Sequence, residues 1–379
     1  RKMRERLLLA LAPFGKTDVT GLPNSSGNPN TEYLAVVSAI KRPSSTGPDQ
    51  VLLSAGVAPF DSYQKDSRVK FRMSDLTNTT NIAENVDETL SHCVMFEAKQ
   101  DPKVEFYWVL DHSGSMNEDN RTVANFASQF ESEVKNTSLD YRLGVTNMKK
   151  TNGGRFRDPP LWHKRSSDFN TEVRQYVINK AGGYEWGLLM AQQGLRFMKG
   201  AGSGTPKQGE KIRSGAEVVT IFMTDEKAQS IKNGTGTAAQ FIQGLKGETT
   251  AFAITTDGQT CTGDRSGEDA AGYRKVALAT GGKTANLCSQ NLAQTIRDIL
   301  FSGVSQTSPY TLSGTPISST LRVFVDGNWV PRSRENGFDY FPENNSLGFF
   351  GSYRPGPNNT GPNDWIAVMY ESFENRSKE

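Results

Sequence analysis

The spacing of apolar positions changes character three times along the chain. Before residue 100 they come in short runs without helical period. Glu32–Lys41, Gln50–Gly56, Arg68–Met73 and Cys93–Lys99 read there as strands between turn clusters. A different regime begins at Val104. The run Val104–Leu110 (VEFYWVL) suits a strand buried on both faces. Val123, Phe126, Ala127, Phe130 and Val134 repeat at helical spacing and predict a helix over Val123–Lys135. Leu139–Asn147, Glu217–Thr224 (EVVTIFMT) and Thr249–Thr255 follow as strands. Gly187–Met198, Ala238–Leu245, Ala270–Ala279 and a closing Leu292–Phe301 follow as helices. After Ser302 strands and turns return, at Leu321–Asp326, Trp329–Arg332, Leu347–Phe350 and Trp365–Glu371.

Strands alternating with helices over roughly 200 residues predict an α/β, Rossmann-like unit with a mostly parallel central sheet covered on both faces. The implied boundaries are an N-terminal arm or linker over 1–31, a β-rich segment over 32–99, the α/β domain over 100–303 and a second β-rich segment over 304–379. The two β-rich flanks form either one sandwich into which the α/β domain is inserted or two separate small domains. The sequence leaves both open. Leu7–Ala12 is too short for a membrane span and reads as a short amphipathic helix.

Composition narrows the function classes. Across 379 residues, 43 Lys and Arg against 41 Asp and Glu leave a formal charge of +2, unlike the basic excess of a dedicated nucleic-acid binder. Three cysteines exclude a dense disulfide framework and a cysteine-rich zinc module. Thirty-six glycines and 17 prolines, scattered without period, indicate many turns and exclude collagen.

The candidate chemistry sits where predicted strands end. Val104–Leu110 runs directly into Asp111-His112-Ser113-Gly114-Ser115, and Glu217–Thr224 runs into Asp225-Glu226. In an open α/β sheet, ligands bind at the carboxyl ends of the strands. A carboxylate with two hydroxyls at alternate positions, joined by a second acid at the same rim, offers oxygen ligands to a hard cation such as Mg²⁺, Mn²⁺ or Ca²⁺ rather than to zinc.

Asp111-x-Ser113-x-Ser115 after an apolar strand, Thr224-Asp225 ending a later one, and the turn Thr280-Gly281-Gly282 together resemble the metal-ion-dependent adhesion site of von Willebrand factor A domains. The resemblance covers about residues 100–303 and is similar in style to secreted or lipoprotein-type bacterial cell-envelope members. It implies a divalent cation, Mg²⁺ first with Ca²⁺ or Mn²⁺ as alternatives, held by Asp111, Ser113, Ser115 and Asp225. It also implies a protein or glycan ligand at the metal face, contacted by a rim formed from His112, Tyr184, Trp186 and Glu226. The family's middle loop carries a threonine ligand; here Gly182-Gly183-Tyr184-Glu185-Trp186-Gly187 stands in its place, and Glu185 could supply the oxygen instead. A further carboxylate would tighten cation binding while weakening the pull on an acidic partner.

The implied function is cell-surface adhesion or ligand recognition, with no catalysis, within a larger surface assembly or alone. Membrane attachment would come only through an anchor outside this sequence. Two alternatives stay open: an intracellular chelatase-type scaffold docking onto an ATPase, and a metal-dependent hydrolase. Against the hydrolase, Ser113 lacks a nucleophile elbow and no base is assigned to it. Gly282-Lys283-Thr284 imitates the end of a phosphate-binding loop, but its first glycine would fall at Ala277. Cys261 and Cys288 fall in what should be neighbouring edge loops. A disulfide between them would place the chain outside the cytoplasm, with Cys93 buried and unpaired; the alternative is two free thiols in a cytosolic protein.

Overall fold

The computed structural model of the chain describes residues 33–42, 50–59, 62, 69, 73, 89–98, 102–137, 139–150, 162–178, 185–202, 204–256, 270–287, 292–342, 344–355 and 365–373. The expected helix at Leu7–Ala12, Tyr184 on the rim and the Cys261–Cys288 disulfide lie outside the described residues.

The chain divides into two compact units. The described part of the smaller includes an antiparallel hairpin of β1 (Tyr33–Arg42) and β2 (Gln50–Pro59), in register from Tyr33 opposite Pro59 to Arg42 opposite Gln50. The expected strand Arg68–Met73 is corrected at its described positions: Val69 and Met73 are helical.

In the larger unit, β3 (Thr89–Glu97, its first two residues counted with the smaller unit) precedes the α/β alternation. Then come β4 (Lys103–Leu110), α1 (Asn117–Val134), β5 (Asp140–Asn147), α2 (Ser166–Tyr176), α3 (Gly187–Met198) and β6 (Glu217–Thr224). The short α4 (Gln229–Lys232), α5 (Ala238–Leu245), β7 (Thr250–Thr255), α6 (Ala271–Ala279), β8 (Thr284–Asn286) and α7 (Leu292–Thr307) complete it. The sheet order is β5-β4-β6-β7-β8 and every pairing is parallel. This is the doubly wound α/β class that the apolar runs predict.

The two-residue period of β4 divides its side chains between two cores. Val104, Phe106, Trp108 and Leu110 pack with Val123, Phe130 and Val134 of α1, Phe169 and Val173 of α2, and Ile299 and Val304 of α7. Tyr107 and Val109 face the other way, toward Leu188 and Leu195 of α3, Phe241 of α5, and Tyr273 and Val276 of α6. The Thr280-Gly281-Gly282 turn has a steric reason as well. Gly281 takes a φ of 87°, and a Cβ on Gly282 would fall 1.8 Å from the Ala251 carbonyl oxygen, so the chain can enter β8 only with glycine there.

Beyond α7 lie β9 (Arg322–Val325), β10 (Asn328–Val330), β11 (Gly337–Phe341), β12 (Ser346–Phe350) and β13 (Trp365–Phe373). A four-stranded sheet runs β10-β9-β13-β3, so one of its strands precedes the α/β alternation and three follow it. The hairpin β11–β12 is buried at every position. One of its faces gives Phe338, Tyr340, Leu347 and Phe349 to a core with Val323, Val368 and Tyr370 of the four-stranded sheet. The other gives Phe341 and Phe350 to the core beneath α1 and α7. Phe349 and Phe350, in the expected strand Leu347–Phe350, are both fully buried. Cys93, expected buried, is exposed: it occupies an outward position in the in–out alternation of β3.

Candidate metal centre

Adjacent parallel strands set the site. Leu110 at the end of β4 pairs with Met223 near the end of β6, and the Asp111 backbone N–H donates to the Met223 carbonyl at 3.0 Å. Asp111 and Thr224 are thereby brought to the same carboxyl edge of the sheet. Asp111 is fully buried and its carboxylate is fixed from two sides: Oδ1 accepts from the Ser113 N–H at 2.7 Å, and Oδ2 accepts from the Thr224 hydroxyl at 2.5 Å. Asn120 of α1 donates its side-chain amide to the Asp111 carbonyl at 2.7 Å, locking the turn beneath the acid.

After Asp111 the chain is extended at Ser113 and then forms a single 3₁₀ turn, Gly114–Met116. The Ser113 and Ser115 hydroxyls lie 2.9 Å apart, so the two alternate hydroxyls of the motif do converge. Ser113 is buried and Ser115 half-buried. Glu185 enters from the segment before α3. The Trp186 N–H bonds the Met148 carbonyl at 2.9 Å, and Gly187 passes so close to α6 that a Cβ there would sit 2.6 Å from the Tyr273 hydroxyl. That hydroxyl accepts from the Gly187 N–H at 3.2 Å. Glycine at 187 thus lets the segment lie against α6 and deliver Glu185 inward.

Glu185 and Asp225 are both 0% exposed. One imidazole nitrogen of His112 and one oxygen each of Asp111 and Glu185 lie within 4.8 Å of one another, all three residues being buried. His112 Nδ1 stands 3.1 Å from Glu185 Oε2. Glu185 Oε1 and His112 Nε2 are buried with no hydrogen-bond partner among the described residues. Burial, then the neighbouring Glu185 charge, pushes the Asp111 carboxyl well above its ordinary range. Burial, then the Glu226 charge, pushes Glu185 up to about 8. Burial also pulls the His112 imidazole below its ordinary value, favouring the neutral ring.

Carboxylates gathered in a desolvated pocket repel one another, and a divalent cation removes both the repulsion and the unmet acceptors. The residues present therefore fit a cation on the grounds of their own chemistry. Of the expected ligands, Asp111, Ser113, Ser115, Glu185 and Asp225 all lie at this edge, with the Asp225 charge acting on both Asp111 and Glu185.

Two rim assignments are corrected. His112 is 1% exposed, because its ring turns in to Glu185 rather than out to a partner. Trp186 is 9% exposed and packed locally, with Lys150 Nζ 4.3 Å above its ring. Glu226 is half-exposed and accepts from the Gln229 amide at 3.0 Å. Thr224 and Asn120 acquire roles that sequence reasoning did not give them. In the sequence Thr224 only closes the strand that delivers Asp225, and Asn120 precedes the helix expected from Val123. His163 is hydrogen-bonded to Glu172, and the Ser113 hydroxyl meets Ser115.

No protein-family model matches the chain, and no curated protein matches it in sequence. Solved structures with a similar fold include a von Willebrand factor type A protein from Catenulispora acidiphila, 14% identical with a TM-score of 0.35, covering 76% of this chain and 62% of that one. Proximal thread matrix protein 1 of the mussel byssus is 14% identical with a TM-score of 0.36, covering 56% and 48%. The pilus adhesin SpaC of Lactobacillus rhamnosus GG, in its open conformation, is 12% identical with a TM-score of 0.35, covering 93% and 44%. The chain thus spans about half the length of the structures it matches. The first of these bears the family name whose motif the sequence resembles; at such scores the meaning of the site rests on its own chemistry.

Proposed function

We propose that this chain is a divalent-cation-dependent recognition module, a von Willebrand factor A-type domain that binds a protein or glycan partner outside the cytoplasm rather than an enzyme. The observation that carries the reading is the setting of Asp111. A fully buried carboxylate, oriented by Ser113 and Thr224, lies beside Glu185 and just ahead of the convergent Ser113–Ser115 hydroxyls, at the sheet edge where α/β proteins bind ligands. Asp111, Ser113, Ser115, Glu185 and Asp225 would hold the ion. Bound there, a divalent cation supplies a coordination position for an oxygen atom of the partner.

The protein's own contribution is orientation. Thr224 and the Ser113 N–H fix the rotamer of Asp111, Asn120 fixes its backbone, and the seat of Gly187 on Tyr273 fixes Glu185. The half-exposed Glu226 stands at the edge as a partner contact. Non-catalytic function is supported by the Ser113 hydroxyl, which is engaged with Ser115. Among the described residues no helix is long and apolar enough to cross a membrane.

The test is thermal melting of the wild type and Asp111→Ala with Mg²⁺, Mn²⁺ or Ca²⁺, set beside binding of the immobilised protein to glycan and protein panels with and without chelator. Cation-dependent stabilisation that vanishes in Asp111→Ala, with chelator-sensitive capture of a partner, supports the reading. Melting points unmoved by every ion overturn it. Substrate turnover lost in Asp111→Ala would favour the hydrolase.

A further inference from the structure

We propose that His112 is itself a ligand of this ion, and that the site therefore selects a first-row transition cation over Mg²⁺ and Ca²⁺. The inference rests on the cation reading above but goes against the all-oxygen ligand set that the sequence motif implies. It starts from the juxtaposition of a buried imidazole with two buried carboxylates, whose ligand atoms lie within 4.8 Å of one another. Ligands on opposite sides of one ion stand about 4.2–4.6 Å apart when the bonds are about 2.1–2.3 Å long, so this cluster needs only a small contraction to share a centre.

The separation of His112 Nδ1 from Glu185 Oε2, 3.1 Å, suits neighbouring ligands of one ion as well as a hydrogen bond. If Nδ1–H donates to Glu185, Nε2 is left as a buried lone pair with no partner among the described residues, and Glu185 Oε1 is likewise unmatched among them. Buried polar atoms of this kind are rare unless something absent from the bare chain meets them. A neutral imidazole is the form that binds metals.

Ligand chemistry then ranks the ions. Mg²⁺ and Ca²⁺ take oxygen donors and gain little from an imidazole, whereas Mn²⁺, Co²⁺ and Zn²⁺ accept nitrogen and carboxylate together, with affinity rising from Mn²⁺ through Co²⁺. The two serine hydroxyls would complete a mixed nitrogen–oxygen set around Asp111, which is clustered with His112 and Glu185 and bonded to the Ser113 N–H.

The experiment is metal titration of the full chain by calorimetry with Mg²⁺, Ca²⁺, Mn²⁺ and Co²⁺, joined to electron spin-echo spectroscopy of the Mn²⁺-loaded protein, which detects a coordinated ¹⁴N nucleus directly. The expected result is Mn²⁺ and Co²⁺ binding at least about tenfold tighter than Mg²⁺, with a nitrogen coupling in the wild type. In His112→Ala the coupling disappears, Mn²⁺ affinity falls about 10–100-fold, and Mg²⁺ affinity changes little. Mg²⁺ binding as tightly as Mn²⁺, Mn²⁺ bound without nitrogen coupling, or coupling that persists in His112→Ala would each overturn the proposal and leave the cation site standing. Failure of every ion to bind would overturn the cation reading as well. Because the spectrum and the ion ranking are measured on the wild type, a misfolded variant does not block the decision.

Discussion

The Thr224 hydroxyl donates to Asp111 Oδ2 at 2.5 Å, binding the end of one sheet strand to the end of its neighbour at the point where the candidate ion would sit. Thr224 cannot be exchanged for its isostere without loss. In Thr224→Val the shape is kept but the carboxylate loses one of the two groups that orient it. We expect cation affinity to fall about tenfold, as for other groups that position metal ligands. The hydroxyl also accepts from the Glu226 N–H at 3.0 Å, so the metal-free melting point should fall by the equivalent of about 2 kcal/mol, the usual worth of two hydrogen bonds. Calorimetric titration beside a melting curve separates the two effects, and equal cation affinity in both proteins would remove Thr224 from the site.

Glu185 gives the cation-free protein an unusual pH response. Its ordinary value is 4.5 and its folded value about 8. Between those two pH values the folded chain holds a proton that the unfolded chain has lost, so stability falls as pH rises through that window. Asp111 is shifted in the same direction and adds to the slope. A cation replaces the proton and cancels the trend, so its affinity should rise with pH up to about 8. Melting points taken in chelator from pH 4.5 to 8, repeated with saturating cation and in Glu185→Gln, check this. A flat profile in chelator would contradict the buried-carboxylate account.

Gly187→Ala tests how the Glu185 segment is seated. The added methyl would meet the Tyr273 hydroxyl at 2.6 Å and Met148 Sδ at 2.8 Å. Overpacking of this kind costs about 1–3 kcal/mol. Since the displaced segment carries Glu185, the cation-induced rise in melting temperature should shrink too. A variant that melts lower yet keeps its full cation response would separate the seat from the site.

At the amino-terminal end of the same strands, Glu105 is buried and receives Arg142 at 2.6 Å and Arg213 at 2.9 Å, with Arg213 also bonded to Asp140 at 2.5 Å. Glu105→Gln removes the buried charge that Arg142 and Arg213 share, Arg213 keeping Asp140, and a loss of about 3 kcal/mol is expected. Glu105 and Asp111 lie toward opposite ends of β4, so cation affinity should be unchanged. Denaturant melts and titration of the same variant measure both quantities.

Much of this was legible in the sequence because apolar periodicity reports burial directly. β4, β6, α3 and α5 were readable nearly to the residue, since each is a run whose pattern its neighbours enforce. α2 was not. Its inward stripe in the first turns is essentially Phe169 and Val173, too thin against Ser166, Ser167, Asp168 and Asn170 to register as a helix. β11 was hidden by Asp339, a charge inside a fully buried strand that becomes tolerable only because Arg332 and Arg334 bond its two oxygens from outside the strand. At the site, Asp111, Ser113 and Ser115 were named because their motif follows an apolar strand, with Thr224-Asp225 and the Thr280-Gly281-Gly282 turn in order behind it. The inward turn of His112 was not readable, because its partner Glu185 is 73 positions away and no local pattern joins them.

The hairpin β11–β12 is a wall shared by two cores, and its burial on both sides has a thermodynamic consequence. Melting the four-stranded sheet would uncover Phe349 and Tyr340, while melting the α/β side would uncover Phe350 and Phe341 of the same ten residues. Neither side can open alone without stripping a strand pair that the other needs. The larger unit should therefore unfold as a single cooperative transition. A load applied at the β sheet would then be borne by the structure proposed to hold the ion.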